Sequence, residues 1–196
     1  MIQKLAPALG ALLALSACAT PVPPVEVTRF HTEGPARSGS IAVEEMMSNP
    51  DIGLEFRTYA AAVGQELQKL GFTESNNATS EYKALVGFRR GFRPSGIDNG
   101  RGPVSVGVGG ATGSHGGGLG VGIGINLSGK PKDWVTSELQ VQIRRRSDNA
   151  AIWEGRASTV AKDGTPAAQP GLAAAKLAAA LFGGYPGQSG QTITVK

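Results

Sequence analysis

Apolar and polar positions alternate along much of this chain, and the alternation predicts most of its strands. In residues 26–31, Val27, Arg29 and His31 share one face and Thr28 and Phe30 the other. Residues 40–46 fit a second strand, although Glu44, Glu45, Met46 and Met47 suit a helical turn equally well. Tyr82, Ala84, Val86 and Phe88 alternate with Lys83, Leu85 and Gly87, a half-buried strand. Val135, Leu139, Val141 and Ile143 oppose Thr136, Glu138, Gln140, Gln142 and Arg144. Ser147-Asp148-Asn149 makes a turn, and residues 152–161 return with Trp153, Gly155 and Ala157 on one face.

Two segments break that period. Phe56, Tyr59, Val63, Leu67 and Leu70 recur at three- and four-residue steps, the stripe of an amphipathic helix that serves as core. Asn49-Pro50-Asp51 offers caps before it, and Gly71 can take the left-handed conformation after it, folding Phe72 back on Leu67. Thr165-Pro166 reads as the start of a second, Ala-rich helix reaching about Phe182, with Leu172, Leu177, Leu181 and Phe182 as its bulky residues. Gly183-Gly184 stops it, and Ile193 with Val195 suggests a last short strand. Residues 73–80 read as a polar loop. The order predicts an α+β fold: a two-layer sandwich, a mostly antiparallel sheet with two helices packed on one face, plus a Gly-rich β-hairpin.

That hairpin is the compositional outlier. The chain holds 29 glycines, and 12 fall between Gly100 and Gly124. Val104, Val106 and Val108 alternate with Ser105, Gly107 and Gly109. After a loop at 110–118, Leu119, Val121, Ile123, Ile125 and Leu127 alternate with Gly120, Gly122, Gly124 and Asn126. Such strands are weak and poorly registered, so this insert at 100–129 should be the most mobile part of the fold. Nine residues from Leu119 to Leu127 match the roughly 9–11 of a membrane-crossing strand. An oligomeric or membrane-inserting structural protein is therefore the second reading. Glycine is no polar lumen lining, however, and no aromatic girdle flanks the hairpin.

Residues 1–17 open with Lys4 and an apolar run from Leu5 to Leu15. The run is too short to span a bilayer and ends in small residues, as an export signal does. Leu15-Ser16-Ala17-Cys18 resembles the lipobox of bacterial lipoproteins, and Cys18 is the chain's one cysteine. The resemblance implies cleavage between Ala17 and Cys18, and a Cys18 bearing a diacylated thiol and an acylated amino group, typically with palmitate. Two or more chains anchor stably where one does not. Ala19, rather than Asp, favours the outer membrane by the same resemblance. Residues 18–25 then form a tether stiffened by Pro21, Pro23 and Pro24, and residues 26–196 a single domain.

The formal charge of +4 includes Lys4. With six Phe, three Tyr and two Trp, the chain lacks the dense basic face with stacking aromatics that nucleic-acid binding needs. The basic residues are spread out apart from Arg89-Arg90 with Arg93 and Arg144-Arg145-Arg146; the mild positive charge allows weak attraction to anionic headgroups, and the second run reads as a charged strand end protecting a sheet edge.

Catalytic and cofactor motifs fail on inspection. Gly124-Ile125-Asn126-Leu127-Ser128-Gly129-Lys130 has phosphate-loop spacing, but Pro131 stands where Ser or Thr must hold magnesium. His31 and His115 are the only histidines, too few for a clustered metal site. Ser114 beside His115 lacks the frame of a nucleophile elbow, and Glu44-Glu45 reads as a solvated pair. Asn77-Ala78-Thr79 is a formal sequon without consequence in a bacterial lipoprotein. No catalytic, metal or cofactor residue is expected.

Several of these stretches together resemble the bacterial lipoproteins of the domain of unknown function 4136 family. They are the Cys18 lipobox, Thr58-Tyr59 leading to Leu70-Gly71-Phe72, the strand at 82–88, the Gly-rich insert and Leu139-Gln140-Val141-Gln142-Ile143. Ile152-Trp153-Glu154-Gly155-Arg156-Ala157 is the sharpest, and Tyr185-Pro186 in the closing 182–190 segment also fits. Glu81-Tyr82 stands where an Ala-Asp pair is usual. The lipobox and the lack of a catalytic constellation lead to the expectation of a lipid-anchored cell-envelope protein facing the periplasm, binding an envelope partner or aiding envelope assembly. The resemblance brings no catalytic residues.

Overall fold

The helices and the sheet bury their apolar faces against each other, and that contact defines the architecture. The structure, a computed structural model, describes residues 22–46, 53–75, 79–94 and 133–196, together with the backbone of 104–111 and 118–125. The elements run β1 Val25–His31, β2 Gly39–Glu45, α1 Leu54–Lys69, β3 Phe72–Glu74, β4 Tyr82–Arg93, β5 Val104–Ala111, β6 Gly118–Ile125, β7 Trp134–Arg145, β8 Ala151–Lys162, α2 Pro170–Phe182 and β9 Thr192–Val195. A seven-stranded sheet has the order β3-β2-β4-β7-β8-β1-β9. Its pairs are antiparallel except β2 with β3 and β2 with β4. This is the two-layer α+β sandwich expected from the sequence.

The strand face under the helices carries Val25, Val27, Ala84, Val86, Phe88, Leu139, Val141, Ile143, Trp153 and Ala157. From α1 come Tyr59, Val63 and Leu67, and from α2 Ala174, Leu177, Ala178 and Leu181. Tyr59 stacks on Phe88 with ring centroids 4.6 Å apart. The other sheet face is polar, with Arg156 Nε 3.0 Å from Glu138 Oε1. One wet face and one packed face explain the clean alternation along β7 and β8.

Several expectations need correction. The loop expected at 73–80 begins as strand, since Thr73 and Glu74 belong to β3, a three-residue strand parallel to β2. Parallel neighbours need a crossover, and α1 supplies it. The second stretch is strand, not a helical turn, because β4 offers it a parallel partner from Ile41 to Glu45. The second helix does not begin at Thr165. A single 3₁₀ turn, Pro166–Ala168, comes first, and α2 starts only at Pro170. A residue before proline is held extended, and Gln169 is (ψ 136°). The Thr165 hydroxyl donates to the Lys162 carbonyl at 2.6 Å rather than capping. Of the bulky residues of this helix, Leu177, Leu181 and Phe182 are buried, while Leu172 is 53% exposed.

The arginine run does not guard an edge, since β7 lies in the middle of the sheet. Arg146 instead clamps three segments. It donates to the Ser80 carbonyl at 3.0 Å and pairs with the Glu44 carboxylate, which is thus no mere solvated group. Gly71 takes φ +101° as expected after α1, and Gly184 takes φ +74° after α2.

The hairpin is confirmed as backbone pairing. Val104 faces Ile125, Val106 faces Ile123 and Val108 faces Val121, in a two-stranded sheet of its own. The capping stretch at 49–51, Asn77 of the sequon, Ser114, His115 and the phosphate-loop-like residues past Ile125 lie outside the described residues, as do Ala17 and Cys18.

Candidate functional site

One end of the domain carries an open apolar groove of about 830 Å³. Val22, Pro23 and Pro24 enter it from the tether, followed by Trp134 at the start of β7 and Val160, Ala161 and Lys162 at the end of β8. Thr165, Pro166 and Ala167 close one side, and Leu172 and Lys176 of α2 the other. The register explains the meeting: Val25 pairs with Thr159 and Trp134 with Lys162, so the tether, β7 and β8 converge. Leu172 and Lys176 are four residues apart and share a helix face. Val22, Trp134, Val160 and Leu172 are half of the large apolar residues exposed among the described ones, so this end is the apolar end of the molecule.

The two lysines here differ. Lys162 Nζ sits 5.7 Å from the Trp134 ring centroid, a cation–π contact. Lys176 Nζ is withheld from solvent without a hydrogen-bond partner among the described residues. Burial pulls its pKa below the ordinary lysine value.

Two further constellations hold the fold together. Arg29 is 4% exposed, and its guanidinium donates to the carbonyls of Leu181, Ala180 and Gly183, each at 2.8 Å. These are the last carbonyls of α2 and its cap, where a cation is favoured. The alternation placed Arg29 on the same face of β1 as Val27 but showed nothing of its partners. Trp153 stacks on Phe182 with centroids 5.2 Å apart and leans on Tyr185 at 5.4 Å. Its indole N–H donates to the Pro186 carbonyl at 3.0 Å, beyond a cis Tyr185-Pro186 bond. The Tyr185 hydroxyl donates to the Ala36 carbonyl at 2.8 Å, and burial pushes its pKa up to about 12.

His31 is half-buried at the end of β1. Its Nδ1 lies 2.9 Å from the Thr32 carbonyl and its Nε2 3.1 Å from that of Gly187. The described residues bring together no group of three His, Cys, Asp or Glu side chains fit for a metal, and no described helix is long and apolar enough to cross a membrane.

No family model matches the chain. Among solved structures it is similar to the PelC dodecamer of Paraburkholderia phytofirmans in two crystal forms. TM-scores are 0.45 and 0.44, at 12% and 11% identity over 85% and 81% of this chain and 99% and 94% of those. It is also similar to a PDZ domain protein of Parabacteroides distasonis, with TM-score 0.47 and 9% identity over 88% of this chain and 39% of that one. In sequence it is 30% identical over 221 residues to the uncharacterized protein ZMO1243 of Zymomonas mobilis, covering 88% of this chain and 80% of that protein. At that identity and coverage, the chain belongs to the same protein family as ZMO1243 of Zymomonas mobilis.

Proposed function

We propose that this chain is a lipid-anchored cell-envelope protein, held by acyl chains on Cys18 on the periplasmic side of the outer membrane, which works by binding rather than by catalysis. The carrying observation is the apolar groove at the end of the domain where Val22, Pro23 and Pro24 arrive. Val22 lies four positions after Cys18, a reach of at most about 14 Å. A lipid on Cys18 therefore holds this apolar end close to the bilayer. The lining supports contact chemistry, since it is mainly aliphatic and aromatic. The resemblance to lipoproteins of domain of unknown function 4136 points the same way. Its sharpest stretch, residues 152–157, holds the Trp153 anchor of the core.

Replacing Cys18→Ser tests the reading. The wild-type protein should sediment with outer membranes and gain the mass of its acyl chains. The variant should lose that mass and leave the membrane fraction. An unaltered distribution overturns the reading.

A second reading rests on the β5–β6 ribbon. It pairs only with itself among the described strands, and an isolated two-stranded hairpin is marginal in water. Association through it predicts that a chain with residues 100–129 replaced by a short linker is monomeric in detergent while the wild type is larger. Equal sizes remove the hairpin from any assembly role.

A further inference from the structure

We infer that the groove is a binding site for a single-chain anionic amphiphile, a fatty acid whose carboxylate meets Lys176 while its tail lies along Val160, Leu172 and Trp134. Two independent features converge on this ligand. The first is the apolar lining, which a polar metabolite would not match, in a volume of about 830 Å³, the size of a small-molecule site. The second is the Lys176 ammonium, set at the groove and shielded from water with no hydrogen-bond partner among the described residues. A half-buried lysine whose ammonium has no hydrogen-bond partner among the described residues, lining an apolar trough, suits an anion carrying an apolar body. Lys162 does not serve the same need, because the Trp134 ring already faces it. The chain's own lipid at Cys18 would be neutral at its thioether and amide, so it would leave Lys176 without a counter-charge. Burial lowers the Lys176 pKa, and an arriving carboxylate would act in the opposite direction.

The inference rests on the envelope reading only for the source of such amphiphiles. Binding does not require Cys18 to be acylated, so the fractionation above and the titration below can fail separately.

The test is calorimetric titration of the mature chain carrying Cys18→Ser with decanoate, dodecanoate and 1-dodecanol, each below its micellar or solubility limit. Dodecanoate should bind about tenfold tighter than decanoate, from two more buried methylenes. It should also bind about tenfold or more tighter than the alcohol, from the charge-assisted contact. Lys176→Met keeps the apolar stem and should bind acid and alcohol alike. Leu172→Glu, at an exposed rim position, should weaken both. No heat with dodecanoate, equal binding of acid and alcohol by the wild type, or a preference for acid surviving in Lys176→Met each overturns the proposal. The wild-type comparison needs no variant to fold. A lipidated chain that refuses dodecanoate while the Cys18→Ser chain accepts it would assign the groove to its own acyl chain, and overturns the proposal equally.

Discussion

Arg29→Met is expected to lower the stability of the domain by about 3–5 kcal/mol, the largest single-residue loss outside the Trp153 pocket. Three carbonyls at the end of α2 lose their donors together. Leaving a buried acceptor unpaired costs about 1–3 kcal/mol, and the favourable placement of a cation at a helix C-terminus adds up to about 2 kcal/mol. For a chain of this size each kcal/mol moves the melting temperature by about 2–4 °C, so a fall of roughly 10–15 °C should appear in thermal unfolding. Arg29→Lys should recover part of it, because the charge returns without the planar fork that spans three acceptors. Arg89→Met, at an exposed position of β4, should change stability by less than about 0.5 kcal/mol. If Arg29→Met melts with the wild type, the guanidinium is not what holds α2 to β1.

Gly155→Ala should be nearly as damaging, although alanine suits a strand better than glycine does. A Cβ at residue 155 would overlap the edge of the Trp153 indole and lie 2.7 Å from Leu181 Cδ1. The indole has nowhere to retreat, since Phe182, Tyr185 and the Pro186 carbonyl hold it on the other sides. Overpacking of this kind costs about 1–3 kcal/mol, and the rigidity of Trp153 places it at the upper end. Thermal unfolding should show a loss near 3 kcal/mol, and the near-ultraviolet circular dichroism of the aromatic cluster should weaken with it. Gly91→Ala, in β4 where an added Cβ meets nothing within 4 Å, should be neutral or slightly stabilising. Matching melting curves for Gly155→Ala and Gly91→Ala would show that Trp153 is free to shift.

The Trp153 pocket gives the stretch Ile152 to Ala157 a physical reason. Trp153, Gly155 and Ala157 point into the core from β8, and their sizes are complementary: the largest side chain beside the absent one. The alternation placed them on one face, but only the packing shows that the glycine is a space reserved for the indole.

Local chemistry was enough wherever one element made its own case. The stripe from Phe56 to Leu70 specifies α1, because a helix with one apolar face can satisfy it in only one way. The alternation at 135–144 and 152–161 specifies β7 and β8 and their inward faces, because a shift of one residue would bury the polar set. The paired valines and isoleucines of 104–125 likewise foretold a hairpin. Three things needed the tertiary structure. β3 carries too few residues for any period, and it forms because β2 has a free edge and α1 delivers the chain to it. Arg29 sits in an apolar pattern as though it were an exception, and its role exists only once the end of α2 lies across β1. The groove draws on residues 22–24, 134, 160–162, 165–167, 172 and 176, which no local signal connects. Periodicity reports how each segment divides between water and core, while a site is made by the meeting of segments far apart in the chain, and that meeting is decided by packing.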